Sequence, residues 1–337
     1  MADVVEIRPY RDGDAAPLLA AYNKVFVTAD GRIPPRSMAH WRWKYLDNPT
    51  GILQVVVAEH RVQGIVGSYA SIPMRLWVEG EDRLCAQGSD LFVLPEWRRY
   101  GPRPGLFVSL GRAHHERFSG REPGKYLFTY GWPIPNWRIS QKYLNYENIR
   151  DWDFLFREVA HGLHERSAPA ALVVQQVDRF AEDVDLLWQR ERASMTMAIA
   201  RDRRYLHWRY ADAPDRAYRL FECRERAGGA LRGICVYGAC NFLFPNTGFV
   251  VDWLCPAADD DATTAMIAAV ERRAAEDCVT ALATLFPQLD PRFLKFQRLG
   301  YLVYGTPYFL VVAQPVAFDT LFYREQWYHT CGDSDLV

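Results

Sequence analysis

The sequence predicts an α/β chain in which one domain occurs twice in tandem. Two observations carry this reading. The motif W-K-Y-L-D-N-P at Trp43 to Pro49 returns as W-R-Y-A-D-A-P at Trp208 to Pro214. A strand-like run holding an aspartate, QGSDLFVLPE with Asp90, returns as FVVDWLCPAA with Asp252. A period this long excludes a solenoid of short repeats. The 337 residues also suit two cores better than one.

The remaining elements match in order. Each copy opens on a strand and a helical stretch, VEIRPYRDGDAAPLLAAYNKVF in the first and VVQQVDRFAEDVDLLWQRERAS in the second. After the Trp-Lys/Arg-Tyr motif come β-rich runs separated by a turn, then the aspartate strand, then a helix. Residues 105–118 place Leu106, Phe107, Leu110, His114 and Phe118 near one helical face. Residues 262–278 are Ala-rich and similarly amphipathic. Both copies close with a strand, a short helix and a strand. The Ala/Pro/Ser stretch from Ser167 to Ala171 marks the expected boundary, giving domains 1–166 and 172–337.

Composition narrows the function. A net charge of −1 without a long basic run argues against nucleic acid as a partner. The opening residues lack the apolar core of a secretion signal, and no apolar run of about 18 residues predicts a membrane span. Seven cysteines, an odd number without a CxxC pair, predict reduced thiols and a cytoplasmic protein. His161 and His164 bring no further ligands, so no metal is expected. Eleven Trp, 18 Tyr and 18 Phe exceed what an average core needs. They suit either a domain interface or a pocket for sugars, bases or acyl chains.

The stretch LPEWRRYGPRPGLF, residues 94–107, sets three arginines and two glycines between a strand and a helix. Backbone N–H groups at a helix N-terminus, approached closely through glycine, make a phosphate cradle. Pro102 and Pro104 carry no N–H, so the cradle would use the amides of Arg98 to Gly101, Arg103, and Gly105 onward. The second copy has Asp259, Asp260 and Asp261 there instead. Two like charges about 4 Å apart repel by roughly 4 kcal/mol at an effective dielectric near 20. As an N-cap and first helical turn the same acids fit well. The first copy is therefore the half expected to hold an anion.

With this order of elements, Val93-x-Pro95 followed by Arg98-x-x-Gly101 resembles the acyl-CoA loop of the GNAT acyltransferase fold. Together with WKYLDNP, YGWPIPN and the terminal GDSD, the chain is similar to tandem-GNAT N-acyltransferases of polysaccharide biosynthesis. Some of those act on nucleotide-linked amino sugars. The resemblance implies two tandem GNAT-like domains, each a mixed, mostly antiparallel twisted sheet flanked by helices. It implies acyl-CoA as co-substrate and direct attack by the amine of a small-molecule acceptor, in a cleft between the domains. Arg103 departs from the family's Gly or Ala. Either the loop has a short insertion, with Gly105 taking the helix-start role, or the site has decayed.

The site residues implied are as follows. The amides of Phe92, Val93 and Leu94 would face the thioester. Arg98, Arg99, Gly101, Arg103, Gly105, Leu106 and Phe107 would hold the pyrophosphate, and Asn136 the pantetheine arm. Asp90 is the candidate base, ahead of His114 and His115, and Tyr143 the candidate acid. Trp43, Tyr45, Trp132, Asp252 and Asp335 are candidates for the acceptor. Two other readings stay open: a different amine acceptor, or a tandem binding protein without activity.

Overall fold

The computed structural model describes residues 4–27, 34–132, 137–159, 166–313 and 318–335. The chain divides into two compact units. Unit 1 comprises Met1–Arg75, Arg83–Arg150 and Phe309–Thr320; unit 2 comprises Leu76–Asp82, Asp151–Tyr308 and Leu321–Val337.

The first copy runs β1 (Val5–Pro9), α1 (Ala15–Phe26), α2 (Met38–Tyr45), β2 (Gln54–His60), β3 (Gly64–Val78), β4 (Glu81–Val93), α3 (Leu106–Phe118), β5 (Thr129–Gly131), α4 (Arg138–Leu144) and β6 (Tyr146–Glu158). The second repeats the order: β7 (Leu172–Val177), α5 (Val184–Arg192), a short β8 (Met197–Ile199), α6 (Arg203–Leu206), β9 (Arg219–Glu225), β10 (Leu231–Cys240), β11 (Thr247–Leu254), α7 (Asp260–Glu276), β12 (Ala281–Thr284), α8 (Pro291–Arg298) and β13 (Leu302–Ala313). A tail of α9 (Thr320–Gln326) and β14 (Trp327–Tyr328) follows. The duplicated fold read from the sequence is present.

In unit 1, β1, β2 and β3 pair antiparallel, with Ile7 opposite Ala58 and Val56 opposite Tyr69, while β4 and β5 run parallel. Unit 2 repeats this: β7, β9, β10 and β11 pair antiparallel, and β11 runs parallel to β12. The units are interleaved in sequence because their closing strands are traded. Residues Val311–Ala313 of β13 pair antiparallel with β5, and residues Leu155–Glu158 of β6 pair with β12. Repeated strands of one pattern offer interchangeable partners for an open sheet edge.

The unit 1 core lies where α3 lays Leu106, Val108 and Leu110 against Val56, Val66, Tyr69 and Phe92. Each such aliphatic or aromatic side chain contributes about 1.5–3 kcal/mol on full burial. His114 is buried from the same helix, while Phe107 and Phe118 pack partly buried at the rim. This packing fixes the start of α3 beside the end of β4.

Candidate active site

The parallel register of β4 and β5 covers Ala86 with Thr129 and Gln87 with Tyr130. Beyond it β4 reaches Asp90, whose φ of 56° lies in the left-handed region that aspartate tolerates better than most residues. Leu94 donates its N–H to Val66 O at 2.9 Å, so the Leu94 amide faces β3 and is unavailable to a thioester. That corrects its expected role. Successive residues of a strand point their N–H and C=O to opposite edges. The Val93 groups therefore face the β5 side, and Arg98 Nε lies 3.4 Å from Val93 O. Phe92 is buried in the core, so its side chain is a packing group.

Past β4 the chain turns through Pro95–Trp97 and reaches α3 at Leu106. Gly105 is the N-cap, with φ of 100°, a conformation open to glycine and strained for other residues. Its own N–H is taken by Pro102 O at 3.0 Å, and Ser109 closes the first helical bond to Gly105 O. The amides of Leu106, Phe107 and Val108 form the open first turn of a 13-residue helix. Arg98, Arg99, Gly101 and Arg103 are exposed around it. This arrangement of cations and a helix N-terminus suits a pyrophosphate.

The Asp90 side chain is 5% exposed and held from three sides. Arg36 Nη1 and Lys44 Nζ, the latter at 3.2 Å, both meet Oδ1, and Tyr45 donates to Oδ2 at 2.9 Å. Helix α2 positions the last two, and Ser37 caps it by accepting the His40 N–H at 3.0 Å. Burial alone would raise the Asp90 carboxyl. The charges of Lys44 and Arg36, with the Arg36 and Tyr45 hydrogen bonds, outweigh it and hold the group well below the usual carboxylate range. A carboxylate stabilised this strongly is a poor proton acceptor. Asp90 is tied to two cations and a tyrosine, which opposes the general-base role expected from its position.

Unit 2 builds the same constellation. Arg201 Nε meets Asp252 Oδ1 at 2.8 Å and Tyr210 donates to Oδ2 at 2.7 Å. Asp202 caps α6 as Ser37 caps α2, accepting the Tyr205 N–H at 2.9 Å. Here the tail fills the site: Thr330 Oγ1 lies 3.0 Å from Asp252 Oδ1, and Arg201 Nη2 lies 2.7 Å from Asp333 Oδ2. Asp252 is 1% exposed. Its expected contact with an acceptor is corrected accordingly: it is an internal partner of Arg201, Tyr210 and Thr330.

Other expectations fare unevenly. Tyr143 is on the exposed side of α4 with Lys142 Nζ over its ring at 5.2 Å. Tyr45 is buried with its hydroxyl on Asp90, which removes it as a stacking surface. Trp43 is half-buried against His40, and Trp132 is half-buried with its ring edge-on to Tyr130. Asp335 is exposed and accepts an Arg216 hydrogen bond through its backbone. Asn136, His161 and His164 lie outside the described residues. Among the described residues, no group of His, Cys, Asp and Glu is arranged to hold a metal, and no helix is long and apolar enough to cross a membrane.

Sequence reasoning missed three groups. Arg36 and Arg201 keep the same spacing to their Trp-Lys/Arg-Tyr motifs, so extending the repeat upstream would have found them. Tyr146 was not among the candidates. Its hydroxyl is 2.9 Å from the Tyr69 hydroxyl, 3.1 Å from Thr129 Oγ1, and 3.9 Å from where a side chain on Gly88 would begin. It thus lies beside Gly88 of β4 and Thr129 of β5. His114 and His115 both reach the Tyr126 hydroxyl, at 3.2 and 2.9 Å, in a buried polar cluster. Burial pushes His115 down to about 4; His114, under burial and its neighbour's charge, falls to about 3.

No protein-family model matches the sequence, and no curated relative matches it. Solved structures do match. A probable N-acyltransferase from Enterococcus faecalis aligns over 91% of this chain and 72% of its own, with 12% identity and a TM-score of 0.65. N-myristoyltransferase of Saccharomyces cerevisiae with bound myristoyl-CoA aligns over 93% and 82%, with 12% identity and a TM-score of 0.59. A tandem GNAT protein of the clavulanic acid biosynthesis pathway aligns over 94% and 100%, with 13% identity and a TM-score of 0.57. The chain has the tandem GNAT fold.

Proposed function

We propose that this chain is an N-acyltransferase that binds acyl-CoA in unit 1 and passes its acyl group to the amine of a small molecule. One observation carries the reading. The end of β4, past its register with β5, leads into a glycine-capped, arginine-rich helix N-terminus, and the corresponding helix of unit 2 is capped by a carboxylate. The fold shared with the myristoyl-CoA and tandem GNAT structures supports it. The resemblance in sequence makes nucleotide-linked amino sugars the first acceptors to screen.

Acyl-CoA supplies an activated thioester. Transfer forms an N–C bond, breaks the C–S bond and requires a proton for the departing thiolate. Arg98, Arg99 and Arg103 with the first-turn amides of α3 would hold its phosphates. The Val93 N–H would donate to the carbonyl oxygen as charge develops there. The Tyr146 hydroxyl, beside Gly88 and Thr129, would give the thiolate its proton. Asp90 is too strongly stabilised to take the amine proton, so an amine reacting in its neutral form, deprotonated through water, needs no carboxylate base. Holding amine and thioester together supplies much of the acceleration, since effective molarities reach about 10⁵ M or more.

The test is calorimetric titration of acetyl-CoA and longer acyl-CoAs, with thiol release measured against a panel of amines. We expect binding that weakens about tenfold or more in Arg98→Ala/Arg103→Ala, as charge-assisted hydrogen bonds to phosphate are lost. Binding that is absent, or unchanged in the double variant, overturns the proposal.

A further inference from the structure

Three hydroxyls of unit 1 meet at Tyr146, and they carry one hydrogen more than they can place. The Tyr146 hydroxyl lies 2.9 Å from that of Tyr69 and 3.1 Å from Thr129 Oγ1. Among the described residues these are the hydroxyls' only hydrogen bonds. Three O–H groups that share two contacts leave one hydrogen without an acceptor. Tyr69 and Thr129 are fully buried, so a surplus hydrogen on either would be a buried donor left unmade. Tyr146 touches both partners, and it alone of the three retains exposure, at 6%. Its hydroxyl is 3.9 Å from where a side chain on Gly88 would begin. Gly88 follows Gln87, which pairs with Tyr130 at the end of the β4–β5 register. A side chain on Gly131, the residue after Tyr130, would begin 3.8 Å from Gly88 O. Both glycines are partly exposed. Two side chains are thus missing beside the Tyr146 hydroxyl, one from each strand.

We infer that Tyr69 and Thr129 are positioning residues: both donate to the Tyr146 oxygen, so the Tyr146 hydrogen is kept for a ligand sulfur arriving beside Gly88 and Gly131. The inference rests on the acyltransferase reading above and adds two residues to its proton transfer. When the C–S bond breaks, its electron pair goes to sulfur and the Tyr146 proton follows, giving the CoA thiol. The tyrosinate left behind keeps two donated hydrogen bonds, which stabilise an anion more than a neutral phenol. The proton shed by the attacking nitrogen as the amide forms restores the phenol through water, so the turnover closes. The acidities of the two phenols agree in direction. Burial raises both. Bonds from Thr129 and Tyr69 offset part of the rise at Tyr146, whereas the charge and bond of Tyr146 add to it at Tyr69. Of the two, Tyr146 is the phenol prepared to lose a proton.

The experiment uses the full chain and CoA itself, so it needs no acceptor. Calorimetry measures CoA binding, and the ultraviolet absorbance of the thiolate, as a difference from protein alone, follows ionisation of the bound thiol. A hydroxyl donating to that thiolate makes the thiol more acidic, and we expect about tenfold or more relative to free CoA. Tyr146→Phe should abolish the effect. Tyr69→Phe and Thr129→Val keep shape, remove one donor each, and should undo part of it. In Gly88→Ala the methyl would meet Tyr130 O, Leu91 and the Tyr146 hydroxyl at 3.6, 3.7 and 3.9 Å, which are ordinary contacts. The fold accepts it while the approach to Tyr146 narrows, so the effect should shrink there too. A bound thiol no more acidic than free CoA, or equally acidic in wild type and Tyr146→Phe, overturns the inference and leaves a measured CoA affinity standing. A more acidic thiol in Tyr69→Phe than in wild type also overturns it, because Tyr146 would then be donating inward. Absent CoA binding overturns the acyltransferase reading and this inference together. If Tyr69→Phe melts below wild type, Thr129→Val and Gly88→Ala decide: a thiol as acidic as in wild type in both counts against it.

Discussion

The two copies present the same scaffold with opposite charge chemistry at corresponding points. At the start of the helix after the aspartate strand, unit 1 has Gly105, without a capping side chain, among exposed arginines. Unit 2 has Asp259, which accepts the Ala262 N–H at 3.0 Å and pairs with Arg232 at 2.7 Å, while Lys295 neutralises Asp260. The helix dipole in unit 2 is thus answered from within the chain, and that in unit 1 faces solvent. The constellations on Asp90 and Asp252 differ in the same direction, since the tail closes over the second. The two copies thus share their packing and differ in polar groups: carboxylates cap the helix start in unit 2, and exposed arginines surround it in unit 1.

The comparison breaks most visibly at the buried arginine of unit 2. Asp252→Ala would leave Arg201 with Asp333 alone and remove the acceptors of Tyr210 and Thr330. Breaking a buried pair on one side costs about 3–5 kcal/mol. Urea unfolding resolved by hydrogen exchange should show that loss in unit 2. A change under 1 kcal/mol would mean that Asp252 is not holding the tail. In the loop, the expected effect is smaller: the tenfold or greater weakening of acyl-CoA binding in Arg98→Ala/Arg103→Ala corresponds to about 1.4 kcal/mol or more.

Much of this was legible in the sequence, and the misses have physical causes. The element order, the duplication and the loop asymmetry follow from hydrophobic period, Gly/Pro punctuation and charge, which are local. The trade of closing strands was not legible, because β6 and β13 carry equivalent patterns and either satisfies either edge. Asp90 was found but its role was not. A carboxylate at a strand end reads alike as a base or an ion-pair anchor until Arg36 and Lys44 are seen beside it. Tyr143 stays on the exposed side of α4, whereas Tyr146 turns inward to Tyr69 and Thr129 because the left-handed Asn145 ends α4 and turns the chain into β6.

Acid should bear more heavily on unit 1 than on unit 2. His114 and His115 titrate in the folded chain at about 3 and 4, below their usual 6.5, so the unfolded chain binds more protons between those limits. Unit 1 stability is therefore full above about pH 6.5 and declines as the pH falls. Asp90, also lowered, adds to the decline below about pH 4. In unit 2, burial pushes Asp333 up to about 6 despite Arg201, with Asp252 adding to the rise. Its folded form binds the extra proton, so that contribution strengthens as the pH falls from 6 towards 4. Hydrogen exchange corrected for intrinsic rates, at pH 6.5 and 4.5, should show unit 1 loosening relative to unit 2. His114→Asn should reduce the acid sensitivity of unit 1, and equal loosening of both units would contradict the assignment.

The smallest expected effect sharpens the loop comparison. Asp259→Ala removes the N-cap of α7 and one of the two carboxylates on Arg232, and replacing a capping aspartate by alanine costs about 0.5–2 kcal/mol. The loss falls on unit 2 stability because the side chain closes its own helix. It should not create an acyl-CoA site, since Asp260 and Asp261 remain in the first turn and still oppose a phosphate. Calorimetry on an Asp259→Ala chain that also carries Arg98→Ala/Arg103→Ala isolates the point. Acyl-CoA binding regained in that triple variant would show that unit 2 keeps a latent loop, and that one carboxylate separates the two copies. Binding no stronger than in the double variant leaves the ligand-binding turn where the arginines are, at the start of α3.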